Sequence, residues 1–252
     1  MAHKAYSRII QGSNTVIVMI HGIIGTPDHF KDMIPLVPDD WSVYNLLLDG
    51  HGKQVRDFSA SSMTRWKQQV ASLMDQLSKQ YPRIIIAAHS MGTLFAIQAA
   101  LAHPERVEGL FLMGSCLRVG LKPLALSNAF KVSMGLVRPD DAPALAAFHA
   151  CSIAPDKHLW RYLGWLPRYW ELLWEIRRVR PLVRQVSVPC WVFQSRHDEM
   201  VSVRAAKCFA DNSNIRCSFL ESSTHFHYKG DDYPYLLEQF QLFCDRIEKE
   251  TQ

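Results

Sequence analysis

Ile84-Ile-Ile-Ala-Ala-His-Ser-Met-Gly-Thr-Leu94 is the stretch on which the reading of this chain turns. An apolar run ends in a small turn. A helical pattern follows, with Leu94, Ile97 and Leu101 at i, i+3 and i+7, until His103-Pro104 stops it. The expected order is strand, turn, helix. Ser90 falls in the turn, between Ala88-His89 and Met91-Gly92, and fits G-x-S-x-G with alanine in the first glycine position. A side chain on so tight a turn needs small residues two before and two after, because neighbouring backbone passes close. The turn lifts the hydroxyl above the sheet edge and aims the first amides of the helix at a bound oxyanion. The plainer reading of Ser90 is a helix N-cap, a position where serine is common.

Outward from this stretch, short β-type runs alternate with helical patterns. The runs are Thr15–Ile20, Ser42–Leu48, Arg83–Ala88, Val107–Met113, Pro189–Gln194 and Arg216–Leu220. Most are rich in Val, Ile and Leu, as strands covered on both faces require. Trp66, Val70, Leu73 and Leu77 mark one helix, and Leu236, Phe240, Phe243 and Ile247 mark a last one over roughly Tyr235–Glu248. The alternation predicts a mostly parallel α/β sheet flanked by helices. Residues 116–188 break it. Six prolines, from Pro123 to Pro181, cut these 73 residues into short helical pieces. They are too long for a plain crossover and too apolar for a linker. The expected organisation is a core of residues 1–115 and 189–252 with an inserted helical cap at 116–188.

A serine hydroxyl is a poor nucleophile until a base takes its proton. Near neutral pH the usual base is histidine. Of eleven histidines, His225 follows the last expected strand, above the same sheet edge as Ser90. His227 is its rival two residues on. His21 and His89 sit fixed in neighbouring turns. Asp198, in the loop after the preceding strand, is the expected acceptor for the imidazole. Its neighbour Glu199, with a longer side chain, reads as a solvent-facing residue. Val16-Ile-Val-Met-Ile-His-Gly-Ile-Ile-Gly-Thr26 ends a buried strand in a glycine loop. From it Ile23 could supply one oxyanion amide, with Met91 supplying the other. A glycine turn after any strand also explains Gly22 and Gly25. Asp49-Gly-His-Gly52 reads as a tight turn supporting the site.

These motifs resemble the α/β-hydrolases, in particular the lidded carboxylesterases and monoacylglycerol-lipase-like serine hydrolases. The resemblance rests on His21-Gly22, Asp49-Gly-His-Gly52, Ala88-His-Ser-Met-Gly92, Asp198 and Ser223-Thr-His225, and covers essentially the whole chain outside the cap. It implies Ser90 as nucleophile, Asp198 as acid, His225 as base and the Ile23 and Met91 amides as oxyanion hole. The chain departs from the pattern at Ala88, at Thr93 in place of a second glycine or alanine, and at Thr224 in place of glycine. The expected activity is hydrolysis of carboxylic esters with an apolar acyl tail through an acyl-enzyme. Thioester or amide hydrolysis, acyl transfer and carbon–carbon bond hydrolysis use the same atoms. From another class, a catalytically idle binding module shares the fold.

The chain has 252 residues, 48% apolar and 21% charged, as in globular proteins. Its clean apolar runs are too short for a membrane span. The N-terminus lacks the apolar region of a signal peptide. Six cysteines form no C-x-x-C pair and fit free thiols in a cytoplasmic setting. No H-E-x-x-H or related spacing predicts a metal, the expected chemistry needs no cofactor, and no nucleic-acid motif is present. The net charge is +4, but the 116–188 segment holds eleven Lys and Arg against five acids, and Trp160, Trp165, Trp170 and Trp174. Such rings either pack the cap onto the core, line an acyl pocket, or touch a lipid surface. The expected partners are a small-molecule ester and, weakly, a lipid surface.

Overall fold

The computed structural model of the protein describes residues 3–249. Its seven strands are β1 (Tyr6–Arg8), β2 (Thr15–Ile20), β3 (Ser42–Asn45), β4 (Arg83–His89), β5 (Val107–Met113), β6 (Cys190–Ser195) and β7 (Ile215–Leu220). They form one sheet in the order β1-β3-β2-β4-β5-β6-β7. All neighbours run parallel except β1, which pairs antiparallel with β3. The mostly parallel α/β sheet expected from the alternating pattern is thus present.

The continuous apolar runs follow from helices on both faces. Val16, Val18 and Ile20 of β2 join Ile84, Ile86 and Ala88 of β4 in one core cluster, while Ile17, Met19, Ile85 and Ala87 point into the other. The first face is covered by α2 (Met63–Gln80), α3 (Gly92–Ala102) and α6 (Leu166–Val179), the second by α7 (Asp232–Lys249). Each fully buried Ile or Leu contributes about 1.5–3 kcal/mol. Sandwiched between sheet and outer helices, α3 is apolar nearly all round.

Sheet order also positions the site. From β2 the chain moves out to β3 on one side, returns to β4 beside β2, then proceeds to β7 on the other side. Loops leaving β2 and β4 diverge and open a crevice between them. Ile20 pairs with Ala88, Ala88 with Leu112, and Ser195 with Leu220, so the strands end at similar levels.

Two elements differ from the sequence expectation. The edge strand β1 is three residues of Tyr, Ser and Arg, too short and polar to show a period. β3 stops at Asn45 rather than Leu48, where the Asn45 amide donates to the Pro27 carbonyl at 2.8 Å.

The 116–188 segment contains α4 (Pro123–Met134), α5 (Ala142–Ala150), a 3₁₀ stretch at Leu159–Trp165, α6 and a second 3₁₀ stretch at Arg180–Gln185. Four prolines expected to break helices instead open them: Pro123, Pro143, Pro167 and Pro181 all stand in first turns. The segment is not uniform. Leu172, Ile176, Val179 and Val183 are buried in the core with α3, as a crossover helix would be. Among the described residues no helix is long and apolar enough to cross a membrane.

Candidate active site

Ser90 sits between β4 and α3 with φ of 53°, a left-handed conformation that costs a non-glycine residue about 1–3 kcal/mol. Hydrogen bonds hold it there. Its amide donates to the Met113 carbonyl at 2.9 Å. Its own carbonyl accepts from the Thr93 amide at 3.0 Å and the Thr93 hydroxyl at 2.7 Å. Thr93, a departure from the family pattern, therefore braces the turn. Close packing supplies the rest. A Cβ on Gly92 would lie 2.2 Å from the Ile20 carbonyl oxygen, and one on Gly22 would lie 2.7 Å from Cβ of Ser90. The steric demand falls on Gly92 and Gly22. Ala88 is fully buried in the first core cluster, so its methyl is accommodated. The N-cap reading of Ser90 does not hold: its φ is not that of a cap, and its hydroxyl is engaged elsewhere.

That engagement is with His225. The Ser90 hydroxyl lies 3.0 Å from Nε2 of His225, and Nδ1 of His225 lies 2.7 Å from Oδ2 of Asp198. With Nδ1–H donating to the carboxylate, Nε2 is left to accept from the hydroxyl. The other Asp198 oxygen accepts the Met200 and Val201 amides at 2.8 and 2.7 Å. The carboxylate is thus fixed from both ends. The 224–227 turn closes through Thr224 N–H to the His227 carbonyl at 2.9 Å and His227 N–H to the Thr224 hydroxyl at 3.3 Å. Thr224, in place of the usual glycine, caps its own turn. His227, the rival base, bonds to neither Ser90 nor Asp198 among the described residues.

Glu199 corrects the sequence expectation. It is not solvent-facing but 3% exposed, and its Oε2 accepts the His225 amide at 2.8 Å. Two adjacent carboxylates therefore grip one histidine, Asp198 at the ring and Glu199 at the backbone. Burial pulls the His225 pKa down, but the charge and hydrogen bond of Asp198, with the charge of Glu199, outweigh it and raise the net value above 6.5.

The surrounding imidazoles are neutral. His29 stacks on His89 with ring centroids 3.8 Å apart, and His89 Nε2–H donates to the His225 carbonyl at 3.3 Å. Burial lowers both pKa values, that of His29 to about 3. His21 donates from Nδ1 to the Gly22 carbonyl at 2.8 Å and accepts the Leu48 amide at Nε2 at 3.1 Å. It is a structural brace between two loops. His51, on the Asp49–Gly52 turn, packs its ring against His21, Phe58 and Trp66.

Met91 precedes α3 and Ile23 follows β2, both beside Ser90 in the chain or through Gly22. Among the described residues, neither amide has an intramolecular acceptor. The Ile23 loop is held from the 116–188 segment: the Ser152 amide donates to the Ile24 carbonyl at 2.8 Å, and its hydroxyl does so at 3.3 Å. Sequence reasoning missed Ser152, since a lone serine after a helix carries no signal.

A cavity of about 110 Å³ lies between α4, α5, the first turn of α6 and the sheet edge. Ile24, Glu199, Met200 and Phe226 form its core-side wall. They are chain neighbours of Ile23, Asp198 and His225, and Ser90 itself is not in the wall. Of the four tryptophans in the segment, Trp165 alone is buried. It lines this cavity, and its indole N–H donates to the Val55 carbonyl at 3.2 Å. Trp160, Trp170 and Trp174 are exposed.

Comparison with known proteins agrees with this architecture. The family described as serine aminopeptidase, S33, matches residues 11–152. The dihydrolipoyllysine-residue acetyltransferase component of the acetoin cleaving system of Cupriavidus necator is 30% identical over 108 residues, 43% of this chain and 28% of the relative. The chain thus matches little more than a quarter of that relative's length. A metagenome-derived lipolytic enzyme of the LipS and LipT pair superposes with a TM-score of 0.74 at 19% identity, covering 97% of this chain and 98% of the other. The monoacylglycerol lipase of Paleococcus ferrophilus gives 0.67 at 13% identity, covering 98% of both chains. At these identities the structural likeness is one of fold. The family match spans more than half of the chain, and the sheet order, the strained serine turn and the superpositions agree with it: this chain is an α/β-hydrolase and belongs to the serine aminopeptidase S33 family.

Proposed function

We propose that the protein is a serine hydrolase of carboxylic esters with an apolar acyl tail. The observation that carries this reading is the relay from the Ser90 hydroxyl through the His225 imidazole to the Asp198 carboxylate, at 3.0 and 2.7 Å, beside a largely apolar cavity. Nε2 of His225 takes the Ser90 proton as Oγ attacks the ester carbonyl. Asp198 holds the ring and stabilises the imidazolium. The Ile23 and Met91 amides stabilise the tetrahedral oxyanion. The imidazolium then protonates the departing alcohol, leaving Ser90 acylated. Water, deprotonated by His225, attacks the acyl carbon and releases the acid with Ser90 restored. Besides the ester, the reaction consumes only water.

In this reading α4 and α5 act as a lid that excludes bulk water from the acyl chain. The 3₁₀ stretch at Leu159–Trp165 and the outer face of α6 carry the lipid contact. Trp160, Leu163, Leu166, Trp170 and Trp174 are exposed together in a segment rich in Lys and Arg, a composition suited to an anionic lipid interface. The family description names a peptidase. An amide is cleaved by the same atoms, and the apolar wall is what favours an ester with an alkyl acyl group.

The test is a ladder of aryl esters from acetate to octanoate, run beside one thioester and one amide. The expected result is a kcat/KM that rises with chain length on esters and vanishes in Ser90→Ala. Equal rates on acetate and octanoate, or a faster amide, contradict it.

A further inference from the structure

One residue of the cavity wall is out of place. Along α4, Leu124, Leu126 and Phe130 are exposed, and the single buried residue is Asn128, 3% exposed. The face of α4 turned to the cavity is Ala125, Asn128, Ala129, Val132 and Ser133, at helical spacing, and the Ser133 hydroxyl is already spent on the Phe130 carbonyl at 3.0 Å. Asparagine thus occupies the position where an apolar cavity wall calls for leucine, while leucines face outward. Neither Oδ1 nor Nδ2 of Asn128 has a hydrogen-bond partner. A buried amide left unmatched on both its donor and its acceptor is costly, and an apolar residue of the same size avoids that cost. Rules of packing broken in this way mark sites kept for function.

Two further polar groups in the same wall have open valences. The Tyr169 hydroxyl has no partner among the described residues, and Glu199 uses only Oε2, on the His225 amide. The remaining lining is mainly Ala, Val, Ile, Met, Phe and Trp. A ligand that satisfies Asn128 must itself donate and accept, and must be carried on an otherwise apolar chain to enter the cavity.

We infer that Asn128 is a specificity-determining residue that reads a hydroxyl group on the acyl chain of the substrate, so that the preferred esters are those of hydroxylated rather than plain alkanoic acids. This rests on the ester-hydrolase reading and names the acyl class for that same site. A neutral hydroxyl supplies the donor and acceptor that the Asn128 amide lacks. A carboxylate supplies no donor and places a second anion beside Glu199. A plain alkyl chain leaves the amide unmatched, and sites built to bond a hydroxyl discriminate strongly against ligands without one.

The experiment uses aryl octanoate and a set of aryl hydroxyoctanoates with the hydroxyl walked along the chain, on wild-type protein, Asn128→Leu and Asn128→Ala. Wild type is expected to favour at least one hydroxylated ester over plain octanoate by about tenfold or more in kcat/KM. In Asn128→Leu that ratio collapses toward one or inverts, mainly through KM, while the melting temperature holds or rises. Asn128→Ala loses the same ratio and guards against a leucine that packs badly. A wild type without preference at any hydroxyl position overturns the inference, as does an equal factor of change on both esters in the variants. A glycerol ester of octanoic acid serves as a further arm, and a penalty confined to it would move the hydroxyl to the alcohol side and overturn the acyl assignment. Thermal shift of Ser90→Ala protein with methyl hydroxyoctanoate against methyl octanoate reads binding without turnover. If wild type hydrolyses no ester, the ester reading fails, and this arm still decides Asn128: a larger shift with the hydroxylated ligand, erased by Asn128→Leu, supports it, and equal shifts overturn it.

Discussion

At the carboxyl edge of the sheet, Asp198 and His225 are buried with their polar groups matched: the carboxylate takes two amides and a ring, the imidazole bridges acid and hydroxyl, and one oxygen of Glu199 takes a third amide. In α4, nearly forty residues along the chain from Ser90, the buried Asn128 amide has no match, and large apolar side chains face outward. In the proposed function the difference separates two tasks. Groups that move protons must be held at fixed distance and orientation before substrate arrives, because misplacement is costly in rate. Groups that choose a substrate must keep their valences open until it does. The Ser90–His225–Asp198 relay is complete without a ligand, and the Asn128 amide is not.

The largest effect expected at the relay is from removing the base. His225→Ala lowers kcat by about 10⁴-fold or more, and adding Asp198→Asn to it costs little further, because members of one relay are not additive. Stopped assays on the most reactive aryl ester measure both. If the double variant multiplies the two single losses, the residues do not act as a unit. Next comes Gly92→Ala. Its Cβ would meet the Ile20 carbonyl at 2.2 Å, a backbone atom that cannot swing away. Destabilisation by about 3 kcal/mol is expected in urea unfolding. Ala88→Gly, by contrast, is tolerated by the serine turn.

A smaller effect comes from charge. In the proposed reaction His225 acts only as a neutral base, and its pKa is raised above 6.5 by Asp198 and Glu199 against burial. Activity therefore falls as pH drops through that raised value. Glu199→Gln keeps an oxygen for the His225 amide but removes the charge, so the acid limb of kcat/KM moves to lower pH while the plateau changes only a few-fold. A limb that stays in place contradicts the electrostatic role given to Glu199. The smallest effect on chemistry is at the exposed face. Trp160→Ser with Trp174→Ser leaves hydrolysis of dissolved aryl esters and melting temperature nearly unchanged, within about 0.5 kcal/mol of stability. It weakens sedimentation with anionic vesicles. Equal sedimentation of wild type and variant contradicts a lipid contact by this face.

The same contrast explains what was legible in the sequence. β2, β4 and β5 are buried on both faces, so their apolar runs mark them without ambiguity. Ser90, Asp198 and His225 each follow a strand, and that placement, with the family resemblance, aligned them and left His227 as a rival. Glu199 was misplaced because two adjacent acids in a loop look alike, and nothing local tells that the turn buries both. The stack of His29 on His89 joins residues sixty apart, beyond any periodic signal. The 116–188 segment was legible as an interruption, but its division into α6, which belongs to the core, and α4 and α5, which wall the cavity, depends on packing across the chain. Asn128 was invisible for the same reason: an asparagine on a helix ordinarily faces water.

The most direct measurement is intact-mass and peptide mapping after brief exposure to a fluorophosphonate ester, on wild type, Ser90→Ala and His225→Ala. One adduct per chain, mapped to Ser90, absent in Ser90→Ala and slowed by several orders of magnitude in His225→Ala, is the expected result. No adduct on the folded wild type, an adduct on another residue, or labelling of Ser90 that proceeds as fast without His225, would contradict a nucleophile activated by the imidazole relay.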